Sequence, residues 1–232
     1  MNVSAIITAA GSGTRMGTGT PKQFLNLNGR PVLAWSLEVF LKSDLVREII
    51  IVAPIAYQEQ AVEIAGEYAH DFDIKVVPGG VTRQESVRCG LEASNPEVKW
   101  AAVHDAARPF VTLQQIESVC LMAREIGGAI LATVVQDTVK RVDEDGLIIR
   151  TVERNGLFLA QTPQVCRKKD LKSAYRLADE KNIVATDEAG LLEVAGITVG
   201  VVESGSGNIK ITTPGDLRLA EALIKITGQE SA

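Results

Sequence analysis

A turn of small residues near the N-terminus has the residue types and spacing best suited to chemistry. An apolar run that starts at Val3 is followed by Ala9-Ala10-Gly11-Ser12-Gly13, and Arg15 and Lys22 come soon after. Small residues let backbone N–H groups approach a ligand closely, and a row of such donors suits phosphate. Two cations beside those donors would stabilise the charge on a phosphorus atom under attack. The stretch therefore predicts a site for a nucleoside triphosphate, and an ordinary glycine-rich turn is the alternative.

This turn differs from the two common phosphate-binding motifs. No Gly-Lys-Ser/Thr sequence closes it, as a P-loop requires. After Gly11 and Gly13 the next glycine is Gly17, and the following predicted strand, 48–53, leads into proline rather than an acid that could hold a ribose hydroxyl. We therefore expect a nucleotide loop of another type.

Further polar groups come directly after other predicted strands. Gly79 and Gly80 follow one strand and, with Ser86, could present backbone and hydroxyl groups to the edge of a base. Asp105 ends another strand, where its carboxylate could hold Mg²⁺ or a hydroxyl, or form an ordinary turn. Its neighbour His104 is expected to be structural rather than a catalytic base.

Arg108 and Lys210 join Arg15 and Lys22 in loops at predicted strand ends. The chain has a formal charge of −5, so cations gathered at strand ends indicate anionic substrates. The alternative for each of them is solvated surface charge, which is the usual environment of Lys and Arg.

The hydrophobic pattern predicts a scaffold that would bring these loops together. Strands are predicted to start at residue 3 and to lie near 48–53, 74–77, 100–103, 129–135 and 198–202. Helices are predicted near 32–41, 57–68, 86–93, 113–126, 169–181, 187–195 and 214–226. This alternation predicts an α/β fold, a Rossmann-like, mostly parallel sheet with helices on both faces. Ligands of such sheets bind outside the carboxyl ends of the strands, so the separate loops are expected to meet in one crevice.

An extended β-hairpin arm is predicted where the alternation stops. Two runs, 137–142 and 147–152, flank an Asp-Gly turn, which is a strong hairpin signal. A lone hairpin is barely stable, so the arm at 136–154 is expected to pack on a symmetry mate or, alternatively, on its own domain. Thr138 and Arg154 lie on this arm and would complete the neighbour's crevice if the arm crosses. If the arm does not cross, they are ordinary hairpin surface.

Composition restricts the remaining possibilities. A sequence pI near 5.2 argues against duplex nucleic acid as a partner. Three distant cysteines without a CxxC motif, and only two histidines, give no reason to expect disulfides or structural zinc. No apolar run is long enough for a membrane span, so a cytoplasmic location is expected. We expect residues 1–232 to form one domain with the arm extruded from it.

A series of motifs in fixed order resembles one known family. The motifs are Ala9-Ala10-Gly11-x-Gly13-x-Arg15-Met16 with Pro21-Lys22-Gln23, Gly79-Gly80-x-x-Arg83-x-x-Ser86-Val87, Val103-His104-Asp105-Ala106-Ala107-Arg108-Pro109, Asp137-Thr138-Val139-Lys140-Arg141, Arg154-Asn155-x-Leu157, Gln161-Thr162-Pro163-Gln164, Thr186-Asp187-Glu188-Ala189 and Asn208-Ile209-Lys210. Together they resemble the 2-C-methyl-D-erythritol 4-phosphate cytidylyltransferase family of the non-mevalonate isoprenoid pathway. The likeness covers essentially the whole chain. The first motif alone marks only the wider nucleotidyltransferase superfamily.

The resemblance implies transfer of CMP from CTP to 2-C-methyl-D-erythritol 4-phosphate with release of pyrophosphate, Mg²⁺ as cofactor, and a homodimer with arm exchange. It implies that CTP is bound by Ala9, Ala10, Gly11, Gly13, Gly79, Gly80, Ser86 and Asp105. It implies that the methylerythritol phosphate is bound by Asp105, Arg108, Thr138, Arg154, Thr186 and Lys210. Catalytic roles fall to Arg15, Lys22, Arg154 and Lys210, and Asp105 is the candidate metal ligand. Val81 departs from the family pattern, in which an aspartate is frequent at this position.

Other functions are open at this point. A ribitol 5-phosphate cytidylyltransferase would share the same loop chemistry, because its acceptor differs by a methyl branch and one hydroxyl. A sugar-1-phosphate nucleotidyltransferase would share the first loop but would not predict the arm motif. A non-catalytic nucleotide-binding module would have little need for cations aimed at the α-phosphorus.

Overall fold

The fold is built around a seven-stranded sheet in the computed structural model, which describes residues 1–11, 16–17, 19–69 and 72–227. The strands are β1 (Val3–Thr8), β2 (Asn26–Leu27), β3 (Arg30–Pro31), β4 (Val46–Ala53), β5 (Ile74–Pro78), β6 (Trp100–Asp105), β7 (Gly128–Val134), β8 (Val139–Val142), β9 (Ile148–Val152), β10 (Phe158–Arg167) and β11 (Val199–Glu203). The α-helices are α1 (Val32–Leu41), α2 (Gln58–Gly66), α3 (Arg83–Ala93), α4 (Leu113–Ile126), α5 (Lys168–Glu180), α6 (Glu188–Val194) and α7 (Pro214–Thr227). Residues 228–232, for which the sequence predicts fraying, lie outside the described residues.

The sheet confirms the predicted α/β architecture. Its strand order is β11-β7-β10-β6-β1-β4-β5, and every neighbouring pair is parallel except the two pairs that β10 makes. The carboxyl ends of the six parallel strands therefore share one edge of the sheet. In this order β1 lies between β4 and β6, with Ile6 opposite Ile50 on one side and Val103 on the other.

Two apolar layers cover the sheet because successive side chains of a strand point to opposite faces. On β4, Ile49 and Ile51 pack in the layer that contains α1, α2 and α4, whereas Ile50 and Val52 pack in the layer of α3, α5 and α6. Burial on both faces explains why these strands read as continuous apolar runs. Among the described residues, no helix combines the length and the apolar character that a membrane crossing requires.

Helix α3 lies unusually close to the sheet. A Cβ atom at Gly90 would come within 2.5 Å of Ile6 Cγ2 and 2.9 Å of Val52 Cγ2. The helix begins at Arg83, three residues before the predicted start at Ser86, because Thr82 and Glu85 form a reciprocal capping box. This earlier start places Arg83 in the first turn, next to the loop that follows β5.

The hairpin prediction is confirmed, and the segment after it was only partly anticipated. Strands β8 and β9 pair with each other in a separate two-stranded sheet. The sequence predicted only that residues 155–164 return to the body, whereas 158–167 form β10, which is inserted antiparallel between β6 and β7. The small hairpin of β2 and β3 was also not predicted.

Candidate active site

A cavity of about 360 Å³ opens where the carboxyl ends of β1 and β6 meet the loop after β5. Its wall includes seven residues that the sequence analysis singled out: Ala10, Gly11, Lys22, Gly80, Ser86, Asp105 and Lys210. The structure thus brings together the small-residue turn, the glycine pair, the aspartate and two of the cations. Gly13 and Arg15 lie outside the described residues.

The turn after β1 is held by a glutamine to which the sequence analysis gave no role. Gln23 is 2 % exposed, and its Nε2 donates to the carbonyl oxygens of Ala9 and Gly11, the second at 3.1 Å. The Ala9 N–H donates to Val52 O at 2.7 Å, which ties the turn to the end of β4. With its carbonyls engaged by Gln23, the turn is fixed beside Lys22.

The glycine pair allows two loops to pack directly on each other. A Cβ atom at Gly79 would lie 2.5 Å from Ala10 Cβ and 3.0 Å from Ser86 Oγ. A Cβ atom at Gly80 would lie 2.3 Å from Glu85 Cβ. Ser86 Oγ donates to Thr82 O at 2.9 Å within its own helix. Side chains larger than hydrogen would therefore separate the turn after β1 from the start of α3.

Asp105 lies at the centre of the charged cluster. Its Oδ2 is 2.6 Å from Lys210 Nζ and 3.8 Å from Arg108 Nε, and its Oδ1 is 3.5 Å from Arg83 Nε and 3.4 Å from Thr8 Oγ1. Burial alone would raise the pKa of Asp105, but the charges of Lys210, Arg83 and Arg108 outweigh it and hold the pKa well below its ordinary value. The carboxylate is therefore ionised at physiological pH.

His104 is buried and its ring nitrogens contact protein groups. Its Nε2 donates to Arg108 O at 3.2 Å, so its Nδ1 accepts from Thr162 Oγ1, also at 3.2 Å. Burial lowers the pKa of His104 to about 4. The Thr162 hydroxyl oxygen in turn accepts from the Asp105 N–H at 3.0 Å. These contacts agree with the prediction that His104 is structural rather than a catalytic base.

The segment that carries Lys210 is anchored on both sides of that residue. Asn208 is fully buried, and its Nδ2 donates to Gln161 Oε1 at 2.8 Å and to Thr162 O at 3.0 Å. The Ile211 N–H donates to Ala107 O at 2.8 Å. Arg108, predicted at the rim of the crevice, is instead 8 % exposed, and its Nη1 donates to Asn208 O at 2.8 Å.

An ion pair connects the cavity wall, at Arg83, to the buried carboxylate of Glu188 behind it. Arg83 Nη1 and Nη2 donate to the two carboxylate oxygens of Glu188, at 2.7 and 2.9 Å. Burial opposes the charge on Arg83, but Glu188 and Asp105 outweigh it and raise the pKa of Arg83 above its ordinary value. Thr186, a predicted acceptor contact, is exposed two residues before Glu188 and is not part of the cavity wall. Arg83 and Glu188 occur in two of the motifs quoted above, but the sequence alone predicted no role for either residue.

The predicted arm residues do not reach this cavity within the chain. Thr138 and Arg154 are exposed, and Arg154 Nη1 donates to the backbone oxygen of Gln136. Neither residue belongs to the cavity wall. In the described part of the chain there is also no cluster of three or more His, Cys, Asp or Glu side chains arranged to hold a metal ion.

Comparison with known proteins identifies the family. The model of the family described as 2-C-methyl-D-erythritol 4-phosphate cytidylyltransferase matches residues 3–226, nearly the whole chain. The chain belongs to this family. It is therefore a nucleotidyltransferase, and it transfers a cytidylyl group from CTP to 2-C-methyl-D-erythritol 4-phosphate.

Curated relatives and solved structures agree with this assignment. A cytidylyltransferase of this name from Geobacter metallireducens is 44% identical over 234 residues, covering 97% of this chain and 98% of the relative. One from Bacillus licheniformis is 41% identical over 225 residues, covering 97% and 96%. The crystal structure of 4-diphosphocytidyl-2C-methyl-D-erythritol synthase from Anaerococcus prevotii matches with a TM-score of 0.85 and 32% identity, covering 97% of this chain and 98% of that one. The ribitol 5-phosphate and non-catalytic alternatives are not favoured by these matches.

Proposed function

We propose that this cytidylyltransferase works by in-line attack of a substrate phosphate oxygen on the α-phosphorus of CTP, in the cavity that Lys22, Asp105 and Lys210 border. The observation that carries this proposal is the convergence of two lysines and two small-residue loops from distant parts of the sequence. Positioning and charge stabilisation contribute most of the rate in such reactions.

Proton abstraction is not needed in this mechanism. The attacking group is a phosphate oxygen of the acceptor, which already carries negative charge at neutral pH. His104, next to Asp105 in the sequence, is buried and engaged on both nitrogens, and the Asp105 carboxylate is surrounded by cations. Both observations support a site that orients reactants without a general base.

The cations have distinct proposed roles. Lys22, with Arg15, would stabilise the charge that builds up at the α-phosphorus during transfer. Lys210, which lies 2.6 Å from Asp105, would position the acceptor phosphate together with Arg154 from the arm. The backbone of Ala9, Ala10, Gly11, Gly13, Gly79 and Gly80, with Ser86, would hold CTP. Arg108 would act from beneath the site, because its guanidinium is buried against Asn208.

Magnesium is the proposed cofactor. Mg²⁺ is usually held by substrate phosphates and only one or two protein carboxylates, so a site with one aspartate suffices. Asp105 Oδ1 has longer contacts, 3.4 and 3.5 Å, than Oδ2, which is 2.6 Å from Lys210. Asp105, the carboxylate of the cavity wall, would be the protein ligand of the ion. When bound, the ion would neutralise part of the charge on the triphosphate.

A homodimer that exchanges arms is also proposed. The tip of the arm exposes Leu147, Ile148 and Ile149 at 66%, 65% and 59%. Contiguous exposed apolar side chains of this kind are typical of protein–protein interfaces. A second copy would cover them and would bring Thr138 and Arg154 to the neighbouring cavity. Residues 136–154 would then complete the acceptor side of a site that one chain leaves open.

A cytoplasmic location remains part of the proposal. Cys89, Cys120 and Cys166 all lie in the described part of the chain and are free thiols, two of them buried. Unpaired cysteines are typical of proteins in reducing compartments. Fractionation of cells that express the native gene would test this location.

One assay tests the proposed reaction. Pyrophosphate release is measured with each of the four nucleoside triphosphates, and with either 2-C-methyl-D-erythritol 4-phosphate or ribitol 5-phosphate as acceptor. We expect turnover with CTP and methylerythritol phosphate, and its loss when EDTA removes divalent ions. Turnover with CTP and ribitol 5-phosphate, but not with methylerythritol phosphate, would show that ribitol 5-phosphate is the acceptor. No turnover with CTP and either acceptor would overturn the proposal.

A further inference from the structure

The Arg83–Glu188 pair links the loop after β5, which borders the cavity, to the start of α6, which lies outside the cavity wall. Arg83 begins α3, immediately after the loop that carries Gly79 and Gly80, and Glu188 begins α6, two residues after Thr186. Their side chains make two parallel hydrogen bonds although 105 residues separate them in the sequence. A bidentate arginine–carboxylate pair fixes direction as well as distance, which a lysine cannot do.

Arg83 also faces the carboxylate at the centre of the cavity. Its Nε is 3.5 Å from Asp105 Oδ1, on the side of the carboxylate opposite to the oxygen that contacts Lys210. The guanidinium thus lies between two buried carboxylates, Glu188 at 1 % and Asp105 at 8 % exposure. Within the described ranges, Arg83 is the only cation within ion-pair distance of Glu188.

We infer that Arg83 is a positioning residue for cytidylyl transfer: anchored by Glu188, it orients Asp105 and, through Asp105, the ammonium group of Lys210. This inference rests on the proposed roles of Asp105 and Lys210. Without the guanidinium, Glu188 would be a buried carboxylate with no cation beside it, and Asp105 Oδ1 would lose its contact with Arg83 and keep the one with Thr8. Rotation of the carboxylate would then displace the ammonium group of Lys210, which its other oxygen contacts at 2.6 Å.

The test uses two single variants and their combination. Arg83→Lys keeps the positive charge but loses the two parallel hydrogen bonds to Glu188. Glu188→Gln keeps the shape of the side chain but loses its negative charge. We expect kcat to fall about 10- to 100-fold in each, since small displacements at a reacting centre have effects of this size, while the KM for CTP changes little. Because the two residues act as one unit, the double variant should be no slower than the slower single variant.

Arg88 provides a matched control on the same helix. Its Nη2 lies 2.8 Å from Asp179 Oδ1, its guanidinium stacks on Tyr175, and it is not part of the cavity wall. Arg88→Lys therefore changes another, more exposed ion pair of α3 and should leave kcat unchanged. All rates are measured well below the Tm of each variant.

The possible outcomes are distinct. Wild-type protein that shows no turnover with CTP and methylerythritol phosphate would refute the proposed function itself. Active wild type together with an Arg83→Lys variant within twofold of its kcat would overturn the positioning role alone. Equal losses in Arg83→Lys and Arg88→Lys would also overturn it, because they would indicate a general effect on α3. If Glu188→Gln does not fold, the comparison of Arg83→Lys with Arg88→Lys decides.

Discussion

Asp105 remains charged although it is buried, because three cations and a threonine hydroxyl surround it. A buried carboxylate without partners would be protonated, whereas this one has Lys210 at 2.6 Å and two arginines within 4 Å. The same contacts limit the freedom of Lys210, which is the cation most exposed to the cavity of the three. At the scale of single residues, the proposed chemistry therefore depends on how the Asp105 carboxylate is shared between Lys210, Arg83 and Arg108.

Replacing Lys210 by methionine should remove charge from the cavity with little change in volume. We expect kcat to fall about 10²- to 10³-fold, as when one charge-stabilising group is lost from an active site. Lys181→Met is the control, because Lys181 is exposed beyond the end of α5. Steady-state kinetics with CTP and methylerythritol phosphate measure the change. A Lys210→Met variant with wild-type kcat would contradict a catalytic role.

Gln23 offers a test of the turn after β1. Gln23→Ala removes two hydrogen bonds to the carbonyls of Ala9 and Gly11, and the KM for CTP should rise about tenfold because the turn loosens. Gln58 is the matched control, since its Nε2 also bridges two carbonyls, Ala53 O at 2.8 Å and Val77 O at 3.2 Å, outside the cavity wall. Gln58→Ala should lower the Tm and leave that KM unchanged. A similar KM for both variants would contradict the assigned role.

His104 should make the fold sensitive to acid. Its pKa is about 4 in the folded state and 6.5 ordinarily, so the unfolded chain binds its proton first as the pH falls. The fold should therefore lose about 3 kcal/mol between pH 6.5 and pH 4 through this residue, and nothing above pH 7. Urea unfolding of wild type and His104→Gln at each pH isolates this contribution as a difference. A difference that stays constant across this range would contradict the assignment.

At the scale of the elements, β10 shows why part of the site could not be predicted from the sequence. It contains Gln161, Thr162, Pro163 and Gln164, and polar residues with a proline argue against a central strand. The structure accommodates them because the pairing with β7 shifts register between Ala160 and Gln164. The polar side chains then form hydrogen bonds with residues of later segments, Gln161 with Asn208 and Gln164 with Asp187. Such partners are far apart in sequence, so no local pattern could reveal them.

Other elements could be predicted because their signals are local. The apolar runs of β1 and β4 and the helix near 113–126 were predicted and are confirmed. The early start of α3 also had a local signal, since Thr82 and Glu85 have capping-box spacing. The Arg83–Glu188 contact had none, because it spans 105 residues. Sequence patterns thus indicated which loops meet, but not which side chains pair within them.

The contact of α3 with the sheet can be tested at Gly90. Gly90→Ala places a methyl group 2.5 Å from Ile6 Cγ2, so we expect a loss of about 1–3 kcal/mol in the free energy of unfolding. The KM for CTP should rise as well, because α3 carries Arg83 and Ser86. Gly66→Ala is the control, since a methyl group at that exposed helical position meets nothing within 4 Å and should stabilise by up to about 1 kcal/mol. A neutral Gly90→Ala would refute the close packing.

At the scale of the whole molecule, the arm determines whether one chain is sufficient. Its two strands pair only with each other among the described residues, and it exposes apolar side chains at its tip. The cavity itself belongs entirely to the body of the chain, and the arm residues expected to contact the acceptor are absent from its wall. A chain of this shape is expected to depend on a second copy for activity.

Mixing two inactive variants tests that dependence. Arg154→Ala and Lys22→Ala homodimers should each be nearly inactive. If each site uses Lys22 from one chain and Arg154 from the other, random mixing should restore about a quarter of wild-type activity, since half of the dimers are mixed and each has one intact site. Sedimentation of each variant confirms that dimers persist. Mixtures no more active than the separate variants would show that sites are not shared.

The place of β10 in the sheet also determines when the strands can pair during synthesis on the ribosome. Strand β7 is made before β10, yet its only neighbours in the described sheet are β10 and β11. A nascent chain that has emerged to about residue 157 can therefore pair β1, β4, β5 and β6, but β7 still has no strand beside it. Only when residue 167 has emerged can the two parts of the sheet be joined and the acceptor side of the cavity take shape.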